Sequence, residues 1–284
     1  ATDDANVEGA HTGTTAHNAT STDTLYNGIT ISDVVAAITD NDSGSTYYVD
    51  IATGSDATGD GSQANPWATL HYGVAQLNTG DSLVAAAGTY SIANGEADAL
   101  LDVTANNVSI RAAVGEHVMI DGTGATSWTA GLEADTQDGI EFANLHIANF
   151  ASAGMHGLRL NSTTNTTVHH CDLQGNSIGI YAGDCGTSLT IEQNKFFDNS
   201  SGIKVEAISG TSSPLIWNNL IHQPAAGNMF TGIEIIGVNS TSVASPTVYN
   251  NTIHGGDSSG IYLMTSGGAT AAPDIQYNIV TNFA

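Results

Sequence analysis

Two basic residues, Arg159 and Lys204, stand among acidic and aromatic neighbours in a chain with only four Lys and Arg in all. Each comes directly after a Gly-apolar pair. The same position after the other such pairs is held by Glu133, Tyr181, Glu234 and Tyr262. A lysine or arginine so placed could act as a base, taking a proton from a carbon beside a carboxylate that a cation acidifies. The plainer alternative pairs opposite charges, Glu133 with Arg159 and Lys204 with Glu234, at about a few tenths of a kcal/mol each. Lys204, Arg159 and Glu234 are the candidate catalytic residues.

A second group lies in two matching stretches, SPLIWNNLIHQP (Ser213 to Pro224) and SPTVYNNTIHGG (Ser245 to Gly256). Their aromatics, Trp217 and Tyr249, could form a flat platform for a sugar ring, or pack on each other. Tyr181 and Tyr262 are further candidates for such contacts. His222 and His254 fill one slot of the two stretches and could share a metal, although a third ligand is not evident. His169 and His170 should point to opposite faces of a strand and not chelate together. The run from Asp56 to Gly61 reads D-x-T-x-D-G, the first half of a Ca²⁺ loop, but its twelfth position is Trp67. Asp56 and Asp60 there, with Asp40 and Asp42 of ITDND, are the candidate Ca²⁺ ligands. The motifs require no other cofactor.

The rest of the composition narrows the partners. Against 4 basic residues stand 28 acidic ones, a net charge of −24. Nucleic acid and anionic membrane surfaces both need clustered Lys and Arg and are excluded as partners. No run of 18 apolar residues exists, so no transmembrane segment is expected. Gly, Ser, Thr and Asn abound while charged residues are only 11%. That composition reads as a secreted, extracellular or cell-surface chain. Two cysteines are too few for a disulfide scaffold. Cys171 and Cys185 fall at opposite ends of corresponding strands and should be free thiols, Cys171 buried.

What positions these residues is a repeat. Asn194, Asn219, Asn251 and Asn278, with Cys171, hold one slot. A β-branched residue precedes it by three positions (Val168, Ile191, Ile216, Val248, Ile275) and a larger apolar one follows by two. Asn144 begins the series in variant form. Between these anchors lie the Gly-apolar pairs, from Gly131-Leu132 to Gly260-Ile261. Each repeat holds three short runs of period-2 apolar residues, separated by polar turns. Three short strands per coil of 22 to 30 residues predict an all-β, right-handed parallel β-helix of about seven or eight coils, with the Asn slot as an internal ladder. Equivalent residues of successive coils then lie about 4.8 Å apart. The residues after the Gly-apolar pairs form one outward row, and Trp217 and Tyr249 fall on a neighbouring face. Ala68 to Leu77 is the one amphipathic segment of helical period, expected to cover the open end of the first coil.

With YYV, GSD, NPWATL and GDSLVAAAGTY at its start, the region 45–284 resembles the pectate-lyase-like β-helix superfamily. The resemblance implies a polysaccharide laid across the outward row. A lyase would need Lys204 or Arg159 as base and a Ca²⁺ site of several Asp residues, and no such cluster stands beside this row. Residues 1–44, with EGAHTG, STDTLYNG and ITDND, resemble the C-terminal part of a Calx-β-like repeat. That modular piece, the scarcity of basic residues and the lack of a catalytic cluster favour a secreted structural or adhesive protein, self-assembling into filaments through β-strand edges. Its partners would be further copies of itself or a cell-surface glycan. The alternative is a polysaccharide-active lyase, hydrolase or epimerase, or a glycan-binding module.

Overall fold

The structure, a computed structural model, describes residues 11–15, 22–23, 27–28, 32, 34–38, 44–223, 231–255 and 258–283. The chain divides into two units, Ala1–Gly44 and Ser45–Ala284. In the first, His11–Thr15 pairs antiparallel with Val34–Ile38, His11 opposite Ile38.

The second unit is a parallel β-helix. Among the described residues, sheet I has nine strands, from Thr46–Val49 to Asp274–Gln276. Sheet II has eight, from Gly88–Ser91 to Ile279–Thr281. Sheet III has seven, from Asp102–Val103 to Ser259–Thr265. The chain passes from I to II to III and returns to I one coil later. Period-2 runs make this possible, since alternate residues face inward. Phe142, Val168, Ile191, Ile216 and Val248 stack in register inside sheet I, all fully buried. Ile147, Leu173, Phe196 and Ile221 do the same in sheet II.

The tight turn between sheets I and II explains the doubled Asn. Its first residue takes left-handed backbone, with φ of 56° at His170 and 55° at Gln193, Asn218 and Asn250. Asn is among the residues that tolerate this conformation. The second residue is the rung. The Oδ1 of Asn194, Asn219, Asn251 and Asn278 accepts the backbone N–H of Cys171, Asn194, Asn219 and Asn251 respectively, at 2.9–3.0 Å. Each rung's Nδ2 donates to a sheet I carbonyl, those of Val168, Ile191, Ile216 and Val248. Cys171 fills the slot with sulfur, and burial pushes its thiol up to about 12. Cys171 and Cys185 are both free and buried. Asn144 is not a rung. Its φ of 59° and its N–H bond to the His169 carbonyl put it at the left-handed position, and Leu145 stands in the rung slot beside Cys171. A second, shorter Asn ladder follows sheet II. Asn176 Oδ1 accepts from Phe150 N–H, and Asn199 Oδ1 from Asn176 N–H.

The Gly-apolar pairs have a steric cause. A Cβ on Gly157, Gly179, Gly202 or Gly232 would lie 2.4–2.6 Å from the carbonyl oxygen of the next coil's glycine. Successive coils touch backbone to backbone here, and no larger residue fits.

The one α-helix among the described residues, α1 (Leu70–Ala75), is shorter than the expected Ala68 to Leu77. Asp56 holds its entry, accepting from the N–H groups of Ala68 and Thr69. Leu70, Gly73 and Val74 are buried, and Gly73 lies so close to Val49 that a Cβ there would meet it at 2.7 Å. At the opposite end, inward-type residues of the last coil stay exposed: Ile275 by 41% and Val280 by 45%. No helix among the described residues is long and apolar enough to cross a membrane.

Candidate functional site

The outward face of sheet III gathers two rows of ionisable side chains. Its first row runs Asp102, Glu133, Arg159, Tyr181, Lys204, Glu234, Tyr262 in strand register. The second row, two residues further along each strand, includes Asp135, Asn161, Gly183 and Glu206. Strand alternation puts both rows on one face.

Two linked groups form there. In the first, Arg159 donates to Glu133 and Asn161 Nδ2 donates to Asp135 Oδ1 at 2.9 Å. Burial pushes the Glu133 carboxyl up, against the pull of Arg159. The Asp102 carboxyl is also raised, by burial and then by the charge of Asp135. Asp102 is the exposed member, while Glu133 lies beside it in register and is buried.

In the second group, the Tyr181 hydroxyl donates to Glu206 Oε2 at 2.9 Å, and Lys204 Nζ meets Glu206 Oε1 at 3.1 Å. Lys204 therefore pairs with a residue of its own strand rather than with Glu234, its expected cross-coil partner. Residues two apart on a strand share a face, so Glu206 is as reachable as a neighbour across the ladder. Tyr181 lies back over Gly183, where a Cβ would stand 2.7–2.8 Å from its ring and hydroxyl. His156 packs on the Tyr181 ring, with centroids 5.3 Å apart. Burial, with the charges of Arg159 and Lys204, lowers its imidazole to about 4, so it is neutral at ordinary pH. Burial also raises the Tyr181 phenol, as does its bond to Glu206. At 8% exposure Tyr181 is closed as a platform for a sugar, whereas Tyr262 at the row's end is 43% exposed.

Sequence reasoning placed Glu133, Arg159, Tyr181 and Lys204 in one row but missed Asp102, His156 and Glu206. The D-V of Asp102 falls outside the Gly-apolar pattern, and His156 reaches this face just before a Gly whose place in the strand pairing is skipped.

The other candidates lie elsewhere. Trp217 and Tyr249 stack on sheet I, centroids 5.6 Å and planes 15° apart. His222 and His254 stack at 5.1 Å on sheet II. His169 and His170 do not part: their Nδ1 atoms are 2.8 Å from each other, because left-handed backbone at His170 swings its ring back. Asp60 accepts from Ser62 N–H, and both oxygens of Asp56 are bonded at the entry to α1. Asp40 and Asp42 lie outside the described residues. Among the described residues, no three His, Cys, Asp or Glu are placed to hold a metal ion.

The family described as "right handed beta helix region" matches residues 101–272. No curated protein matches the chain. Among solved structures, XylC in complex with xylose is similar at 11% identity and a TM-score of 0.52, over 82% of this chain and 64% of that one. The pectate lyase Pel9A is similar at 15% identity, 85% and 78% coverage and a TM-score of 0.47. An alginate lyase from Paenibacillus sp. str. FPU-7 is similar at 14% identity, 84% and 97% coverage and a TM-score of 0.47. At these identities the likeness is one of fold.

Proposed function

We propose that this chain, which belongs to the right-handed β-helix family, is a carbohydrate-active protein that cleaves a glycan on the outward face of sheet III. The carrying observation is the pair Asp102 and Glu133. Two carboxyls stand in register on adjoining strands, and burial raises both, which favours the proton that an acid catalyst must hold and pass. The exposed Asp102 gives its proton to the leaving oxygen as the glycosidic bond breaks, and Glu133, oriented by Arg159, takes a proton from the water that adds to the sugar carbon. A lyase mechanism is the weaker version. Lys204 is bonded to Glu206 and Arg159 to Glu133, so neither presents a free lone pair to take a proton. XylC, of the same fold, was solved with xylose, which agrees with a sugar on such a solenoid. The N-terminal unit is read as part of a Calx-β-like module, and the protein as extracellular.

The test is cleavage of a panel of neutral and acidic polysaccharides by wild type, Asp102→Asn and Glu133→Gln, with circular dichroism as the check on folding. Each substitution is expected to lower cleavage by about 10²–10³-fold. Full cleavage by either variant, or none by wild type, would overturn the reading. Unsaturated uronate products that disappear in Lys204→Ala would point instead to the lyase.

A further inference from the structure

The basic residues divide evenly. Arg159 and Lys204 belong to sheet III, while Arg111, on a sheet I strand, and Lys195, on a sheet II strand, line hollows along and beyond the tight turn between those sheets. One hollow, of about 470 Å³, lies over sheet II between Lys195, Phe197, Leu220 and His222. It adjoins a second of about 430 Å³ that Arg111 lines, since His117, His146 and Asp172 border both. Together they make a groove spanning several coils.

The floor of this groove has two characters. At one end Phe197 and Leu220 are outward and large, 41% and 44% exposed. The Phe197 ring lies 5.5 Å from that of His222, which stacks in turn on His254. Such a strip suits the C–H face of a pyranose. Beside it the polar groups are a carboxylate, an amide and an amine: Asp172, Gln174 and Lys195. Lys195 and Asp172 are only 3.6 Å apart, yet their side chains stay 68% and 50% exposed and can exchange that contact for a ligand. At the other end His117 and His146 sit within hydrogen-bond distance of each other, with Arg111 beyond.

An apolar peptide would leave these polar groups unpaired, and a neutral sugar would leave the cations unused. In a chain of net charge −24, this groove sets two cations, Arg111 and Lys195, against two carboxylates, Glu116 and Asp172, and is less negative than the chain as a whole. We propose that the groove over sheet II is a binding site for an anionic oligosaccharide, one ring stacked on Phe197 and His222 and its carboxylates met by Lys195 and Arg111. It is a holding site, distinct from the sheet III face, and it does not depend on cleavage there.

The experiment is calorimetric titration with tetragalacturonate and, separately, with cellotetraose. It uses the full chain carrying Glu133→Gln, so that ligand is not consumed on sheet III. Lys195→Ala and Phe197→Ala are then added one at a time. Both side chains are exposed, so neither change opens the core. Tetragalacturonate is expected to bind, each added substitution to weaken it about tenfold, and cellotetraose to bind at least about tenfold less well. Equal binding of the two sugars, binding unmoved by both substitutions, or no binding of tetragalacturonate would each overturn the proposal. The reading of sheet III stands or falls separately, on Asp102→Asn.

Discussion

Replacing Glu96 by alanine is expected to cost about 3–5 kcal/mol and to remove a pH dependence of stability. Glu96 is 4% exposed. Its Oε1 accepts from Leu70 N–H at 2.6 Å and its Oε2 from His71 N–H at 3.2 Å, so it serves the first turn of α1. Its Oε2 also meets His71 Nδ1 at 2.5 Å, while His71 Nε2 meets the Ala99 carbonyl at 2.6 Å. Both partners are acceptors, so the imidazole must donate from both nitrogens and carries a proton. Burial alone would lower His71, but the bonds to Glu96 and Ala99 and the Glu96 charge outweigh it and raise it. A group raised on folding adds stability that is fully present below its unfolded value, about 6.5, and is lost as pH climbs through the folded value. Wild type should therefore unfold at lower urea as pH rises above about 6.5, and Glu96→Ala should lose that slope. His71 packs on Trp128 with centroids 4.9 Å apart, so tryptophan fluorescence reads this end of the solenoid. An unchanged slope in Glu96→Ala would refute the assignment.

The adjacent asparagines Asn218 and Asn219 should respond very differently to substitution. Asn219 is 2% exposed. Its Nδ2 donates to the Ile191 and Trp217 carbonyls, and its Oδ1 accepts from Asn194 N–H at 3.0 Å. Alanine there strands two or three buried polar groups, each worth about 1–3 kcal/mol, so Asn219→Ala should cost about 3–5 kcal/mol. Asn218 is exposed and supplies only its φ of 55°. Glycine accepts that conformation freely, so Asn218→Gly should shift stability by less than about 0.5 kcal/mol. Urea midpoints for the two variants decide it: equal effects would mean that the rung is not what holds the turn.

These two residues also show what a sequence conveys and what it withholds. The repeated slot was visible because every coil needs one hydrogen-bonding residue at the same bend, with core residues at fixed distances on either side. The left-handed position before it was not visible, because His170, Gln193 and Tyr277 fill it as well as Asn does. That is why Asn144 was placed one residue off and why His170 was expected on the wrong side of its strand. The glycine pairs were legible as a pattern, but their cause, a backbone contact between coils, exists only after stacking. At the candidate site the row followed from the period. The choice of Glu206 over Glu234 by Lys204 did not, since it depends on how side chains lean across a finished surface. Asp102 and His156 join the site through the shorter first strand and the skipped glycine, which break the period that revealed the others.

The hydrogen bonds between coils all run along the solenoid axis, while the covalent chain winds around it. Tension along the axis therefore loads the junctions in series, one coil against the next, and the weakest gives way first. Load across the axis falls on covalently continuous coils and on many junctions at once. The solenoid is mechanically directional, stiff around its girth and able to lengthen coil by coil along its axis.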